Sequence, residues 1–322
     1  GMHVGQYCIE KVLGQGGFAV TYLAQDPVIE HQVALKEFLP DDLAVREVHG
    51  ETIQIKSHKQ QDYAYGLKRF IDEARLLVKF KHPNIVRVLT FLEKNNTAYL
   101  VMDYEEGESL DQHLNTIHHR GGMAESRIKA LAIPVLKGLA AIHAKGMLHR
   151  DVKPGNIYLR QEGEPMLIDF GAARYALNQQ SQSMAAIISR GYAPPEQYSS
   201  QSSQGPWTDF YAFGATLYEL CFGEAPLESA LRQQAVLDGE ADPLQAAATR
   251  GQGQYTPALL TLIDHCLKLS GKQRPQFAKA LLAALDGEKA LEQPTSSTAK
   301  TIVVSDTSRF SHQSELESRD VE

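Results

Sequence analysis

His149-Arg150-Asp151-Val152-Lys153-Pro154-Gly155-Asn156, followed by Asp169-Phe170-Gly171, is the stretch that decides how this chain folds. Asp151, Asn156 and Asp169 lie five and thirteen positions apart and are flanked by apolar Ile157 and Met166-Leu167-Ile168. Short strands at those apolar runs would hold the three polar side chains at one cleft floor. A third phrase, Gly191-Tyr192-Ala193-Pro194-Pro195-Glu196, stands shortly downstream. Core packing alone is a poor explanation for such a cluster.

N-terminal to this stretch, short apolar pieces from Tyr7 to Lys36 are separated by Gly, Asp and Pro, as in strands joined by hairpins. Between two of them lies Gly14-Gln15-Gly16-Gly17-Phe18-Ala19. Glycines in such a turn let backbone N–H groups approach phosphate oxygens and leave the hairpin mobile. A tight structural hairpin accounts for three glycines almost as well. A dinucleotide-binding turn needs a helix directly after it, where this chain has a strand. Val33-Ala34-Leu35-Lys36 places an ammonium group at the end of the next strand. From Gly66 to Phe80, Leu67, Phe70, Ile71, Ala74, Leu77 and Val78 form one helical stripe, and Glu73 shares that helix. Alone, Lys36 and Glu73 read as solvated charges. Beside a glycine-rich turn they form a device in which lysine meets phosphate and a carboxylate from a helix holds it.

Two more strands are expected at 85–92 and 97–104, joined by the turn Asn95-Asn96. Helical periodicity then dominates at 127–145, 210–221 and 256–269. The stretch 38–64 is polar, carries a candidate hairpin at 45–55, and reads as a surface insertion. From Gln293 to Glu322 serine and threonine dominate, the composition of a disordered linker or tail.

The 322 residues, 43% hydrophobic and 22% charged, are those of an ordinary globular chain with room for two lobes. A formal charge of -7 argues against nucleic acid as main partner. No apolar run approaches the roughly 20 residues of a membrane helix, and residues 2–10 lack the features of a secretory signal. Cys8, Cys221 and Cys266 have no metal-like spacing and read as reduced thiols, so a cytoplasmic setting is expected. Gly1 before Met2 reads as a scar of tag removal, and a membrane tether beyond residue 322 is left open.

The ordered set of phrases resembles the eukaryotic-like (Hanks-type) serine/threonine protein kinases, over about residues 7–285. The phrase Gly205-Pro206-Trp207-Thr208-Asp209 and the insertion after Glu37 are similar to a bacterial branch. The resemblance implies an α+β, bilobal protein-kinase-like fold, a small β-rich N-lobe with one key helix and a larger α-rich C-lobe. Its divisions would be an N-terminal lead (1–6), the N-lobe (7–104, with the 38–64 insertion), the C-lobe (105–285) and a tail (286–322).

The resemblance also implies roles. Lys36 would hold the α and β phosphates of ATP, with Glu73 orienting it. Asp151 would accept the proton of the substrate hydroxyl and Lys153 would stabilise the transferring phosphate. Asn156 and Asp169 would ligate Mg2+, with Mn2+ an open substitute. Leu13, Gly14, Gln15, Gly16, Gly17, Phe18, Ala19, Thr21 and Ala34 would cover the nucleotide, with Met102 as gatekeeper and Asp103 and Tyr104 as the hinge that reads adenine. Tyr158 would floor the base pocket where relatives often carry leucine. His149, Phe170, Leu77 and Val88 would form an apolar stack joining the lobes, with Asp209 anchoring its base, and Glu196 would pair with Arg274. Ala19 replaces a third glycine and Thr21 a usual valine.

Arg150 beside Asp151 implies an activation segment ordered by phosphate on Ser181 or Ser183, while a serine-rich loop with no switch is nearly as good a reading. Ser189 is expected on Asp151 and Lys153. Thr298, Thr301 and Thr307 could take phosphate as docking sites, although solvated linker is the simpler reading. The expected partners are ATP and protein substrates with Ser/Thr, including a second copy by self-phosphorylation in trans. Two alternatives stay open: a pseudokinase scaffold that binds without turnover, and a small-molecule kinase of related fold.

Overall fold

The computed structural model describes residues 2–46, 51–117, 122–171, 189–199 and 201–287. The chain begins with β1 (His3–Val4), β2 (Tyr7–Gln15), β3 (Ala19–Asp26) and β4 (His31–Phe38). It continues through the small hairpin β5 (Ala44–Arg46) and β6 (Ile53–Ile55), then α1 (Gln60–Leu77), β7 (Val88–Lys94) and β8 (Thr97–Asp103). The six long-sheet strands lie in the order β1-β2-β3-β4-β8-β7, every described pair antiparallel. The lead before Tyr7 belongs to this sheet: β1 pairs with β2 and Val4 is buried.

Alternation along β3 and β4 puts Val20, Tyr22, Val33 and Leu35 in the core. The turn between β7 and β8 is Asn95-Asn96, with φ of 56° and 59°. Asparagine tolerates that left-handed conformation, and a two-residue hairpin turn requires it. Helix α1 begins six residues before the apolar stripe at Gly66 and packs Tyr63, Phe70, Ile71, Ala74 and Leu77 inward. Its first turn takes up the end of the segment read as a surface insertion. That segment is not merely superficial, because Leu39, Leu43, Ala44, Ile53 and Tyr63 are all buried.

The second lobe contains β9 (Gly107–Ser109), α2 (Leu110–Thr116), α3 (Glu125–His143), β10 (Ile157–Arg160), β11 (Pro165–Leu167), α4 (Pro206–Phe222), α5 (Ser229–Leu237), α6 (Ala247–Arg250), α7 (Pro257–Cys266) and α8 (Ala278–Leu285). Two of these helices have a legible start or stop. Ser109 and Gln112 form a capping box on α2. Pro206 begins α4, and Gly223 ends it at φ 78°. Strands β11, β10 and β9 make a small sheet beneath the cleft. The two lobes meet where Val86 N–H donates to the Leu167 carbonyl, and Asn84 Nδ2 to that of Pro165, each at 2.9 to 3.0 Å. The bilobal α+β architecture is therefore the observed one. Among the described residues no helix is long and apolar enough to cross a membrane.

Candidate active site

Asp151 lies in the loop between α3 and β10 and is buried. The loop is pinned from below by Asp209 of α4, whose carboxylate accepts from the backbone N–H of His149 (2.9 Å) and of Arg150 (2.7 Å). Arg150 sits at φ 66°, a conformation that a non-glycine residue keeps only when its surroundings over-determine it. Burial alone would raise the Asp209 pKa, but His143 at 2.7 Å and the His149 backbone outweigh it and hold the carboxyl below its usual range. His149 is driven the other way, its pKa lowered chiefly by burial. Its neutral ring has a defined tautomer: Nε2–H donates to the Ile168 carbonyl (3.0 Å) and Nδ1 accepts from the Asp151 amide (3.3 Å).

The Asp151 carboxylate is crowded with donors. Ser189 Oγ donates to Oδ1 at 2.7 Å, Asn156 Nδ2 donates to Oδ2 at 2.5 Å, and Lys153 Nζ lies 3.3 Å from Oδ2. Lys153 Nζ also donates to Ser189 Oγ at 3.0 Å. Ser189 therefore meets both residues expected of it. Gly171 packs closely here: a Cβ would stand 3.2 Å from that of Asp151 and 3.5 Å from the His149 carbonyl, so a larger residue would press on the loop.

Across the cleft, Lys36 near the end of β4 pairs with Asp169 at 2.9 Å. Glu73 is buried on α1. Thr21 and Lys36 are cross-strand partners, as are Ala34 and Met102. Gly14 and Gly16 bear on the two explanations of the glycine turn. Neither adopts a left-handed backbone, and a Cβ on either would meet nothing within 4 Å. Neither the backbone conformation of the turn nor its packing thus demands these two glycines. The turn is also less free than expected: Leu39 N–H donates to the Phe18 carbonyl (3.1 Å) and Asp41 N–H to that of Gly17 (3.0 Å).

Leu13 and Gln15 lie exposed on the same turn, and Phe18 packs edge-on against Phe38 at 5.7 Å. Ala19 pairs with Phe38 across β3 and β4. Met102 is buried, and Asp103 accepts contacts from His31 (3.7 Å) and Arg87 (3.5 Å). Tyr104 follows, half-buried. Tyr158 explains its own departure from the usual leucine. Burial, then the neighbouring Tyr104 and acidic side chains, raise its pKa, so it stays protonated and its hydroxyl donates to the Glu105 carbonyl at 3.0 Å. Strand β10 is thereby tied to Glu105, the residue that follows Tyr104.

Asn156 uses Nδ2 on the Asp151 carbonyl (2.8 Å) and carboxylate, which leaves its Oδ1 as an acceptor. Together with the part-exposed Asp169 carboxylate it offers the hard oxygen donors that Mg2+ takes. The supporting frame is assembled too. His149 and Phe170 rings stand 4.7 Å apart, and both are buried with Leu77 and Val88. Arg274 grips Glu196 through two contacts of 2.7 and 3.0 Å.

Sequence reasoning missed three contacts here. Gln204 Oε1 accepts from Arg150 Nε at 3.1 Å, a long-range meeting with no local signal. Tyr158 was singled out, but not its bond to the Glu105 carbonyl. Glu37 turns out fully buried beside Lys36 and paired with Arg46; the apolar alternation of β4 around it was the available hint. Ser181, Ser183, Thr298, Thr301 and Thr307 lie outside the described residues.

Residues 7–284 match the model of the protein kinase domain family. The chain is 32% identical over 289 residues to serine/threonine-protein kinase pkn2 of Myxococcus xanthus, covering 87% of this chain and 32% of that one. Among solved structures, the apo form of PpkA-294 superposes with a TM-score of 0.79 at 34% identity, covering 88% of this chain and 98% of that one. The PknI kinase domain of Mycobacterium tuberculosis gives 0.65 at 21% identity, covering 90% and 98%, and speaks for the fold alone. The chain spans about a third of the length of the curated relatives it matches first.

Proposed function

The chain belongs to the protein kinase family, and from that premise we propose that it transfers the γ-phosphate of ATP to serine or threonine hydroxyls of proteins, its own among them. One observation carries the reading. A serine hydroxyl, that of Ser189, already sits 2.7 Å from the Asp151 carboxylate and 3.0 Å from the Lys153 ammonium. A substrate hydroxyl presented to the same two groups meets an acceptor for its proton and a cation beside the oxygen that attacks.

Catalysis of phosphoryl transfer is mostly positioning and charge neutralisation, and the chain's residues divide that work. Asp151, held by Asn156 and steadied through the Asp209-pinned loop, orients the hydroxyl. Lys153 offsets charge on the transferring group. Lys36 trades Asp169 for the α and β phosphates, with Glu73 on α1 as its steadying carboxylate. The open backbone of Gly14 to Gly17 approaches the phosphates from above, and Met102 to Tyr104 with Tyr158 enclose the base. Asp169 and Asn156 Oδ1 are the residues that would hold Mg2+, which neutralises phosphate charge when bound. The free cysteines favour a reducing, cytoplasmic setting.

Incubation of the purified chain with MgATP, followed by intact mass, tests this against Asp151→Asn. We expect one or more phosphates on the parent chain and a loss of about 10²-fold or more in the variant. A parent chain that binds MgATP and gains no phosphate, and passes none to an added acceptor protein, sinks the proposal.

A further inference from the structure

The segment 38–64 separates Lys36 from the helix that carries Glu73, and the structure shows what it is tied to. Glu37 follows Lys36 on β4, and strand alternation sends the two side chains to opposite faces. Lys36 faces the cleft, where it meets Asp169. Glu37 is 0% exposed, and a carboxylate so buried needs partners. Among the described residues the Tyr22 hydroxyl donates to it at 2.8 Å, the Tyr99 hydroxyl also bonds it, and the guanidinium of Arg46 closes on it from β5. Burial works against the Arg46 charge, but the Glu37 carboxylate together with the Tyr99 and Tyr22 hydroxyls more than offsets it and raises the Arg46 pKa. The same guanidinium reaches the Tyr99 hydroxyl at 3.4 Å and the Glu51 carbonyl.

The rest of the segment makes directional contacts on three sides. Its first residues bond the glycine turn through Leu39 and Asp41, as described above. Ile53 N–H donates to the Asn95 carbonyl at 2.9 Å, and Asn96 Nδ2 to the Ile53 carbonyl at 3.4 Å. From α1, the Tyr63 hydroxyl donates to the Asn96 carbonyl at 2.8 Å. A pair of well-packed apolar residues would fill the place of Glu37 and Arg46 with equal or greater stability, so stability is a poor reason for an ion pair here. What the charges add is direction: one guanidinium nitrogen is aimed at a single oxygen of the buried carboxylate, while another holds the Glu51 carbonyl.

We propose that the 38–64 insertion is a brace for the phosphate-binding edge of the cleft, with Arg46 as the positioning residue that sets the strand of Lys36 against the glycine turn and α1. This rests on the kinase reading for Lys36.

The test compares the chain with Glu37→Leu/Arg46→Met, which removes both charges together, and with Arg46→Lys. ATP and casein, as a generic acceptor, are varied separately. A brace acts on ATP alone. We expect the double variant to raise the KM for ATP about fivefold, the worth of one ordinary hydrogen bond, with the KM for casein unchanged. Arg46→Lys should stay within about twofold of the parent, because the contact to Glu37 runs through a single nitrogen that an ammonium can supply. A folded double variant with an unchanged ATP KM overturns the proposal, as does one that loses only kcat, the mark of fewer active molecules. If the double variant does not fold, Arg46→Gln decides by the same ATP KM. If the parent binds ATP but transfers nothing, the kinase reading fails by itself. The dissociation constant for MgATP then decides the brace: about fivefold weaker in the double variant supports it, and an equal value overturns it.

Discussion

Two buried glutamate–arginine pairs sit in opposite lobes and are built in opposite ways. In the C-lobe the arginine is the deeper partner: Arg274 is 0% exposed, grips Glu196 with two nitrogens, and donates to the carbonyls of Lys268, Leu269 and Trp207. It also lies over the Tyr211 ring, 4.8 Å from its centroid. In the N-lobe the carboxylate is the deeper one, Glu37 at 0% against Arg46 at 17% side-chain exposure. The first pair joins residues 78 positions apart and the second joins residues nine apart. An arginine ringed by carbonyls closes a lobe, whereas a partly exposed arginine reaching in to a buried carboxylate can adjust a strand.

The sharpest way to break that contrast is to remove each arginine in turn. Arg274→Met should cost the most, about 3 to 5 kcal/mol, since it orphans three carbonyls and a carboxylate at once. At roughly 2 to 4 °C per kcal/mol for a domain of this size, a fall in Tm of about 10 °C is expected in a thermal melt. Arg46→Met should cost less in Tm and show itself in the ATP KM. The reverse order of Tm losses would mean that the N-lobe pair is the structural one.

Acid probes the same contrast, because His149 and Asp209, both fully buried, belong to the C-lobe. His149 has a folded pKa below the ordinary 6.5. Below pH 6.5 the unfolded chain therefore binds a proton that the folded one refuses, and stability falls by up to about 1.4 kcal/mol per pH unit as pH drops toward the folded value. Asp209, depressed beneath 3.8, adds stability that is present above that value and lost as pH falls through its folded pKa. Urea midpoints between pH 7 and 5 should fall, and His149→Phe should flatten that slope by one proton. An unchanged slope in the variant would remove His149 as the source.

The smallest effect is expected from Tyr22→Phe, which takes one donor from Glu37 and leaves Arg46 in place. A loss of about 1 kcal/mol in chemical denaturation is expected. A loss as large as that of Arg46→Met would show that the hydroxyl, rather than the guanidinium, carries the buried carboxylate.

Much of the loop around Asp151 was legible in the sequence because its polar groups meet close to where they stand along the chain. Asp151, Lys153 and Asn156 are held on one short loop, so their order along the chain nearly dictates their order in space. The glycine turn was legible only as a pair of alternatives, and what bears on them is the free space around Gly14 and Gly16. The 38–64 segment was misjudged for a physical reason. Its polar composition suggests solvent, but Arg46 spends its charge on Glu37, and Ile53 and Tyr63 are buried beneath. Composition records how polar a segment is, not whether its polar groups find each other.

The sequence by itself determined the two-lobe plan and most helix and strand types, and it singled out the charged residues that gather at the cleft, since these follow from local periodicity and from motif spacing. Only the tertiary structure decided that Lys36 rests on Asp169, that Tyr158 bonds the Glu105 carbonyl, that Gln204 meets Arg150 and that Arg46 of the insertion pairs with Glu37 on the strand of Lys36. Each joins residues whose pairing leaves no periodic trace, and a buried charge or hydroxyl discloses its partner only when the chain has closed around it.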